Sequence, residues 1–166
     1  MNSSSWPSYN EEEVGAVRDV LISNKANYWT GNEGRKFEKE FAKWVGTQHA
    51  VALANGTLAL EFALKALGIG ESGDIDALND EVIVTSRTFV ASVSAIVNLG
   101  ATPVFVDVDP YSQNITSETL EPAIRENTRA IICVHLAGWP CEMDSIMVLA
   151  NQHDLYVVED CAQAHG

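Results

Sequence analysis

The chain has 166 residues, 46% hydrophobic and 20% charged, with 10 Lys and Arg against 23 Asp and Glu and a formal net charge of −13. That length and composition allow a real hydrophobic core and exclude a disordered chain, a collagen-like repeat and a coiled coil. The acidity makes the chain a poor general binder of nucleic acid or anionic membranes, while leaving room for one local anion site built from backbone N–H groups.

Residues 1–10 are polar and read as loosely packed. From Glu11 the pattern turns helical: Glu11, Glu12 and Glu13 place acid in a first turn, and Val14, Val17, Val20 and Leu21 recur at helical spacing. Turn residues and two aromatics, Tyr28 and Trp29, fill 24–34. A second amphipathic helix carries Phe37, Phe41 and Trp44 and stops at Gly46. Beyond it the pattern alternates between strand and helix. Apolar strand runs are predicted at 50–54, 82–85, 103–108, 130–136 and 155–159. Helices are predicted at 58–67, 90–99, 117–126 and 143–152. Near-continuous apolar strands alternating with helices imply an α/β fold, with a parallel sheet covered on both faces. The acidic segment 71–80 is longer than the usual helix-to-strand connection of about 2–6 residues and reads as a surface loop.

The three cysteines, Cys133, Cys141 and Cys161, form no CxxC pair, so neither a disulfide framework nor a structural zinc site is expected. The first residues lack the basic and apolar regions of a signal peptide, and no window reaches about 18 apolar residues. A reducing, cytoplasmic location follows as the expectation.

In open parallel sheets ligands bind beyond the carboxyl ends of the strands. Asn55-Gly56-Thr57 opens a helix after the first strand run. It is either an ordinary cap or an anion site in which Gly56 admits a phosphate, Thr57 caps and donates, and first-turn N–H groups face the charge. Asp160 ends the last strand, as a helix cap or as the counter-ion of a cationic ligand atom. Phe89 follows the second strand, as core or as a stacking face. A flat aromatic cofactor with a phosphate at one end and a basic ring nitrogen at the other would use such a set. Other motifs fail in context. Gly68-Ile69-Gly70-Glu71-Ser72-Gly73 matches a dinucleotide fingerprint but follows a helix. Asp107 and Asp109 echo a calcium loop without its glycine. His49, His135, His153 and His165 share no helical face, so no metal site is expected. No G-x-S-x-G elbow is present.

Six segments occur in order: Trp29-Thr30-Gly31, the 52–60 run around Asn55-Gly56-Thr57, Arg87-Thr88-Phe89-Val90-Ala91-Ser92, the 103–109 strand, His135-Leu136-Ala137-Gly138-Trp139-Pro140-Cys141, and Glu159-Asp160-Cys161-Ala162-Gln163-Ala164-His165-Gly166. Together they resemble the DegT/DnrJ/EryC1/StrS family of nucleotide-sugar aminotransferases, over nearly the whole chain. The resemblance implies part of the large domain of a type I, aspartate-aminotransferase-like fold that binds pyridoxal 5′-phosphate (PLP). On that reading 1–45 is an N-terminal helical segment and 46–166 an incomplete PLP-binding domain. Gly56 and Thr57 would hold the phosphate, Phe89 would stack on the pyridine ring, and Asp160 would pair with its nitrogen. Gln163 would lie near the phenolic oxygen, and Trp29, Thr30 and Gly31 would line the substrate side.

The implied reaction moves an amino group from glutamate or glutamine to a keto nucleotide-sugar, in a homodimer. The family's Schiff-base lysine lies beyond the Asp160 motif, and none of Lys25, Lys36, Lys39, Lys43 or Lys65 matches it. The chain therefore carries no catalytic residue of its own and is expected to be inactive alone. Two other readings stay open: a truncated, non-catalytic binding or assembly module on the same fold, and part of a PLP-dependent sugar dehydratase that uses His in place of the lysine.

Overall fold

The computed structural model describes residues 7–70 and 80–165. The chain divides into two compact units, Met1–Ala52 and Leu53–Gly166.

In the first unit, helix α1 spans Glu11–Ile22. Its start is a capping box: the Asn10 side chain accepts the Glu13 N–H at 2.9 Å, and the Glu13 carboxylate accepts the Asn10 N–H at 2.7 Å. Helix α2 spans Glu33–Val45 and ends at Gly46, as its pattern predicts. Phe37, Phe41 and Trp44 stack along it with neighbouring ring centroids 5.5 Å apart. The predicted strand at 50–54 does not form: these residues join no sheet. An apolar run becomes a strand only when its N–H groups find a neighbouring strand. Here the Ala52 N–H is taken by the Glu38 carboxylate at 2.9 Å.

The second unit holds helix α3 (Gly56–Ala66), strand β1 (Glu81–Thr85), helix α4 (Val90–Asn98), strand β2 (Thr102–Val106), helix α5 (Ser117–Leu120), strand β3 (Thr128–Val134), helix α6 (Met143–Gln152) and strand β4 (Tyr156–Asp160). The sheet runs β2-β1-β3-β4, and all three pairings are parallel. Two expectations shift. The helix predicted over 117–126 closes after one turn of α-helix and continues as a 3-10 turn at Glu121–Ala123, because Pro122 has no N–H to carry the α-helical ladder. The strands also begin and end within two residues of their apolar runs. The predicted 71–80 loop lies outside the described residues except for Asp80.

Side-chain alternation divides the core between the two faces of the sheet. Val82, Val84, Ala130, Ile132 and Val134 pack with Leu60 and Leu64 of α3 and Ala95 and Ile96 of α4. Ile83, Ile131 and Cys133 pack with Leu120, Ile146 and Leu149 on the other face. The end of the α3 turn is tied to the start of β1, where the Gly70 N–H donates to Asp80 at 3.2 Å. The start of α3 therefore points toward the opposite edge, where the strands end.

Candidate functional site

The helix N-termini of α3 and α4 lie at that carboxyl edge. Asn55 caps α3, its side chain accepting the Leu58 N–H at 3.0 Å. The sequence pattern offers Thr57 as the cap. Asn55 takes it because it is extended (φ −165°, ψ 168°), whereas Thr57 already lies in the helix. With the cap at Asn55, the start of α3 stays open. The N–H groups of Gly56 and Thr57 find no acceptor among the described residues, and both point out of the helix start, where an anion is favoured. A Cβ built on Gly56 would meet nothing within 4 Å, so the approach is open.

Asp160 closes β4 on the α3/α4 face, the side shared with Val158. Its carboxylate is held at both oxygens. Oδ2 accepts the Ser92 hydroxyl at 2.9 Å, and Oδ1 accepts the Ala162 N–H at 3.2 Å. Ser92 is in turn 2.9 Å from the Thr88 hydroxyl. Asp160 is thus neither a plain helix cap nor loose. Phe89 sits at the N-cap position of α4 and is 74% exposed, so it is not core. The Gln163 Oε1 accepts the Ala137 N–H at 2.6 Å, and among the described residues its amide N–H groups keep no acceptor and remain as donors. Ala137 adopts a left-handed φ of 55° to make that contact. Gly56, Thr57, Phe89, Asp160 and Gln163 are thereby brought to one edge of the second unit. Among the described residues this edge offers anion-binding N–H groups, an aromatic face, a fixed carboxylate and an amide donor.

Trp29, Thr30 and Gly31 belong to the first unit. The Asn27 side-chain oxygen accepts from the Trp29 N–H at 3.0 Å and the Thr30 N–H at 2.9 Å. Gly31 is required there, because a Cβ would come within 2.3 Å of the Lys25 carbonyl oxygen. The turn holds Trp29 84% exposed, edge-on to Tyr28.

The sequence reading carries Thr88 and Ser92 only within the Arg87–Ser92 segment and gives them no role, whereas the structure joins them to Asp160. The available signal was a serine on the buried side of an apolar helix, among Ala91, Ala95 and Ile96, where a hydroxyl needs a partner. It also missed the pairing of His135 with Glu159 on the opposite face of the sheet. His135 Nδ1 accepts the Cys141 N–H at 3.1 Å, so Nε2 carries the proton and donates to Glu159 at 2.8 Å. Burial disfavours the charged imidazole, but the Glu159 carboxylate and Cys141 outweigh it and raise the His135 pKa above its ordinary value. The Cys141 thiol is lowered to about 7 by the neighbouring Cys133 thiol, against burial and with help from His135. His135, Glu159 and Cys161 offer ligand atoms within 4.8 Å of one another. With both ring nitrogens engaged, however, the neutral imidazole has no lone pair left for a metal.

The DegT/DnrJ/EryC1/StrS aminotransferase family model matches residues 7–166. GDP-perosamine synthase of Escherichia coli O157:H7 is 44% identical over 96% of this chain and 42% of its own length. The crystal structure of an aminotransferase from Psychrobacter cryohalolentis is 58% identical and superposes with a TM-score of 0.92, covering 98% of this chain and 40% of that one. NtdA from Bacillus subtilis, solved with bound cofactor PMP (pyridoxamine 5′-phosphate), is 30% identical with a TM-score of 0.83, over 95% of this chain and 35% of that one. The chain thus spans about two fifths of the length of the relatives it matches, and the α/β fold with its all-parallel sheet is the one seen in PLP-dependent aminotransferases. With the family model covering all but the first six residues, this chain belongs to the DegT/DnrJ/EryC1/StrS aminotransferase family.

Proposed function

We propose that the chain supplies the phosphate- and ring-nitrogen-binding part of a PLP-dependent sugar aminotransferase. The observation that carries this is the fixed Asp160 carboxylate at the same sheet edge as the free Gly56 and Thr57 N–H groups. The residues present fit the cofactor. Two N–H groups at a helix start suit a phosphate dianion, and a carboxylate pinned at both oxygens suits a protonated pyridine nitrogen. Bound, the cofactor supplies an electron sink for transfer of an amino group between an amino acid and a ketone. Asp160 holds the proton on the ring nitrogen, Phe89 stacks on the ring, and Gln163 donates its amide to the phenolic oxygen. The substrates are a keto nucleotide-sugar, a reading supported by similarity to a protein named GDP-perosamine synthase, and glutamate or glutamine as donor.

Residues 46–166 form the cofactor-holding part and 1–45 the helical segment, in which Trp29, Thr30 and Gly31 meet the sugar. The working protein is a cytoplasmic homodimer. Exposed Phe105, Trp139 and Tyr156 support burial by further protein. Among the described residues no helix is long and apolar enough to cross a membrane.

The test loads the full-length protein with PLP, supplies glutamate or glutamine and a panel of keto nucleotide-sugars, and follows amino-sugar formation by mass spectrometry. The native protein should form amino sugar, and Asp160→Asn should form roughly a hundredfold less. No amino sugar from any pair of substrates, or full turnover by Asp160→Asn, overturns the reading.

A further inference from the structure

We propose, resting on the reading that Asp160 receives the pyridine nitrogen, that Ser92 is a positioning residue. Its hydroxyl, backed by Thr88, fixes the Asp160 carboxylate in the orientation that accepts the ring N–H.

The direction of the hydrogen bonds carries the argument. An ionised carboxylate only accepts. Ser92 must therefore spend its single proton on Asp160 Oδ2, at 2.9 Å. The 2.9 Å contact between Thr88 and Ser92 must then run from the Thr88 hydroxyl to the Ser92 oxygen. The result is a one-way chain, Thr88 to Ser92 to Asp160, in which each bond polarises the next. The second carboxylate oxygen is held from a different element, by the Ala162 N–H in the turn after β4. Rotation of the carboxylate breaks both contacts at once.

Ser92 is well placed to impose that orientation. It is 0% exposed, on a helix whose neighbouring Ala91, Ala95 and Ile96 are also buried. An alanine would pack there as well as a serine, so the hydroxyl has no packing purpose. A buried hydroxyl persists where it has a partner, and its partner is Asp160. Phe89 is the N-cap of the same helix, one turn before Ser92, and the Ser92 N–H donates to the Phe89 carbonyl at 3.2 Å. Helix α4 thus ties the carboxylate to the aromatic face proposed for the same ring.

The test measures dissociation constants of the full chain for pyridoxamine 5′-phosphate and for its 1-deaza analogue, in which C–H replaces the ring nitrogen. Neither ligand needs a lysine. Native protein, Ser92→Ala, Thr88→Val and Asp160→Asn are compared, with melting curves to establish that each variant is folded. The native chain should prefer the nitrogen-bearing ligand by roughly tenfold, the worth of one charge-assisted hydrogen bond. Ser92→Ala should bring that ratio close to one while leaving the affinity for the deaza analogue unchanged, and Thr88→Val should lower the ratio part of the way. If Ser92→Ala weakens both ligands equally and keeps the ratio, Ser92 only packs and the proposal is overturned. If Ser92→Ala does not fold, Thr88→Val decides by the same ratio. A native chain that binds neither ligand, or binds both equally, overturns the underlying reading of Asp160 and the proposal with it.

Discussion

Asp160 and Glu159 are adjacent in the chain and do opposite work because a strand sends successive side chains to opposite faces. Asp160 joins Ser92 on the α3/α4 face, while Glu159 reaches His135 on the other. The His135 pair makes a prediction with a definite sign. The imidazole is raised above its unfolded value of 6.5, against the opposing effect of burial, by Glu159 and Cys141. Its contribution to stability is therefore complete below 6.5 and is lost as pH rises through the folded value. In Glu159→Gln the carboxylate's share is gone while burial and Cys141 remain, so charging His135 contributes less stability. The melting temperature of Glu159→Gln should fall well below that of the native chain near pH 6, and the gap should narrow near pH 8. A gap that is constant across this range would show that the pair does not titrate with folding. Residue identity alone could point to His135 as an edge residue, but not to its partner. That pairing depends on β3 and β4 lying side by side in register, with Val134 opposite Asp160.

At the scale of elements, most helices were legible because their signals are local: the acidic first turn of α1, the aromatic spacing and terminal glycine of α2, the apolar faces of α3 and α4. The failures lie where local pattern meets a non-local requirement. The 50–54 run has strand-like residues but pairs with no strand among the described residues, and Pro122 ends a helix whose apolar spacing runs on. The connection between α3 and β1 shows a further constraint that composition hides. Gly70 has φ +75°, and a Cβ there would come within 2.1 Å of the Leu99 carbonyl oxygen, whereas Gly68 has φ +80° with nothing within 4 Å. Gly68→Ala should therefore carry only the conformational penalty, about 1 kcal/mol. Gly70→Ala adds a collision with backbone and should destabilise by about 3 kcal/mol, or on the order of 10 °C in melting temperature. Equal losses in the two variants would mean that the α3 end does not pack against α4 as described.

For the whole molecule, alternation of strand and helix was enough to predict an α/β fold with a parallel sheet, but not the order β2-β1-β3-β4, since hydrophobic period says which face is buried and not which strand is the neighbour. The candidate site was legible in the same measure. Gly56, Thr57, Phe89, Asp160 and Gln163 could be named because strand ends gather at one edge of such a sheet, and their ordered chemistry resembled one family. Ser92 and Thr88 could not, because their meaning lies in a contact across 68 residues, from α4 to the end of β4. The −13 net charge sits beside an anion site without conflict, because that site is made of backbone dipoles rather than cationic side chains. The most direct measurement is a crystal structure of the chain with pyridoxamine 5′-phosphate. If the start of α3 and Asp160 hold the cofactor as proposed, the phosphate should lie within hydrogen-bonding distance of the Gly56 and Thr57 N–H groups, with the ring nitrogen on the Asp160 carboxylate and the Ser92 bond intact. A phosphate bound away from the start of α3, or a ring whose nitrogen faces anything other than Asp160, would contradict that proposal.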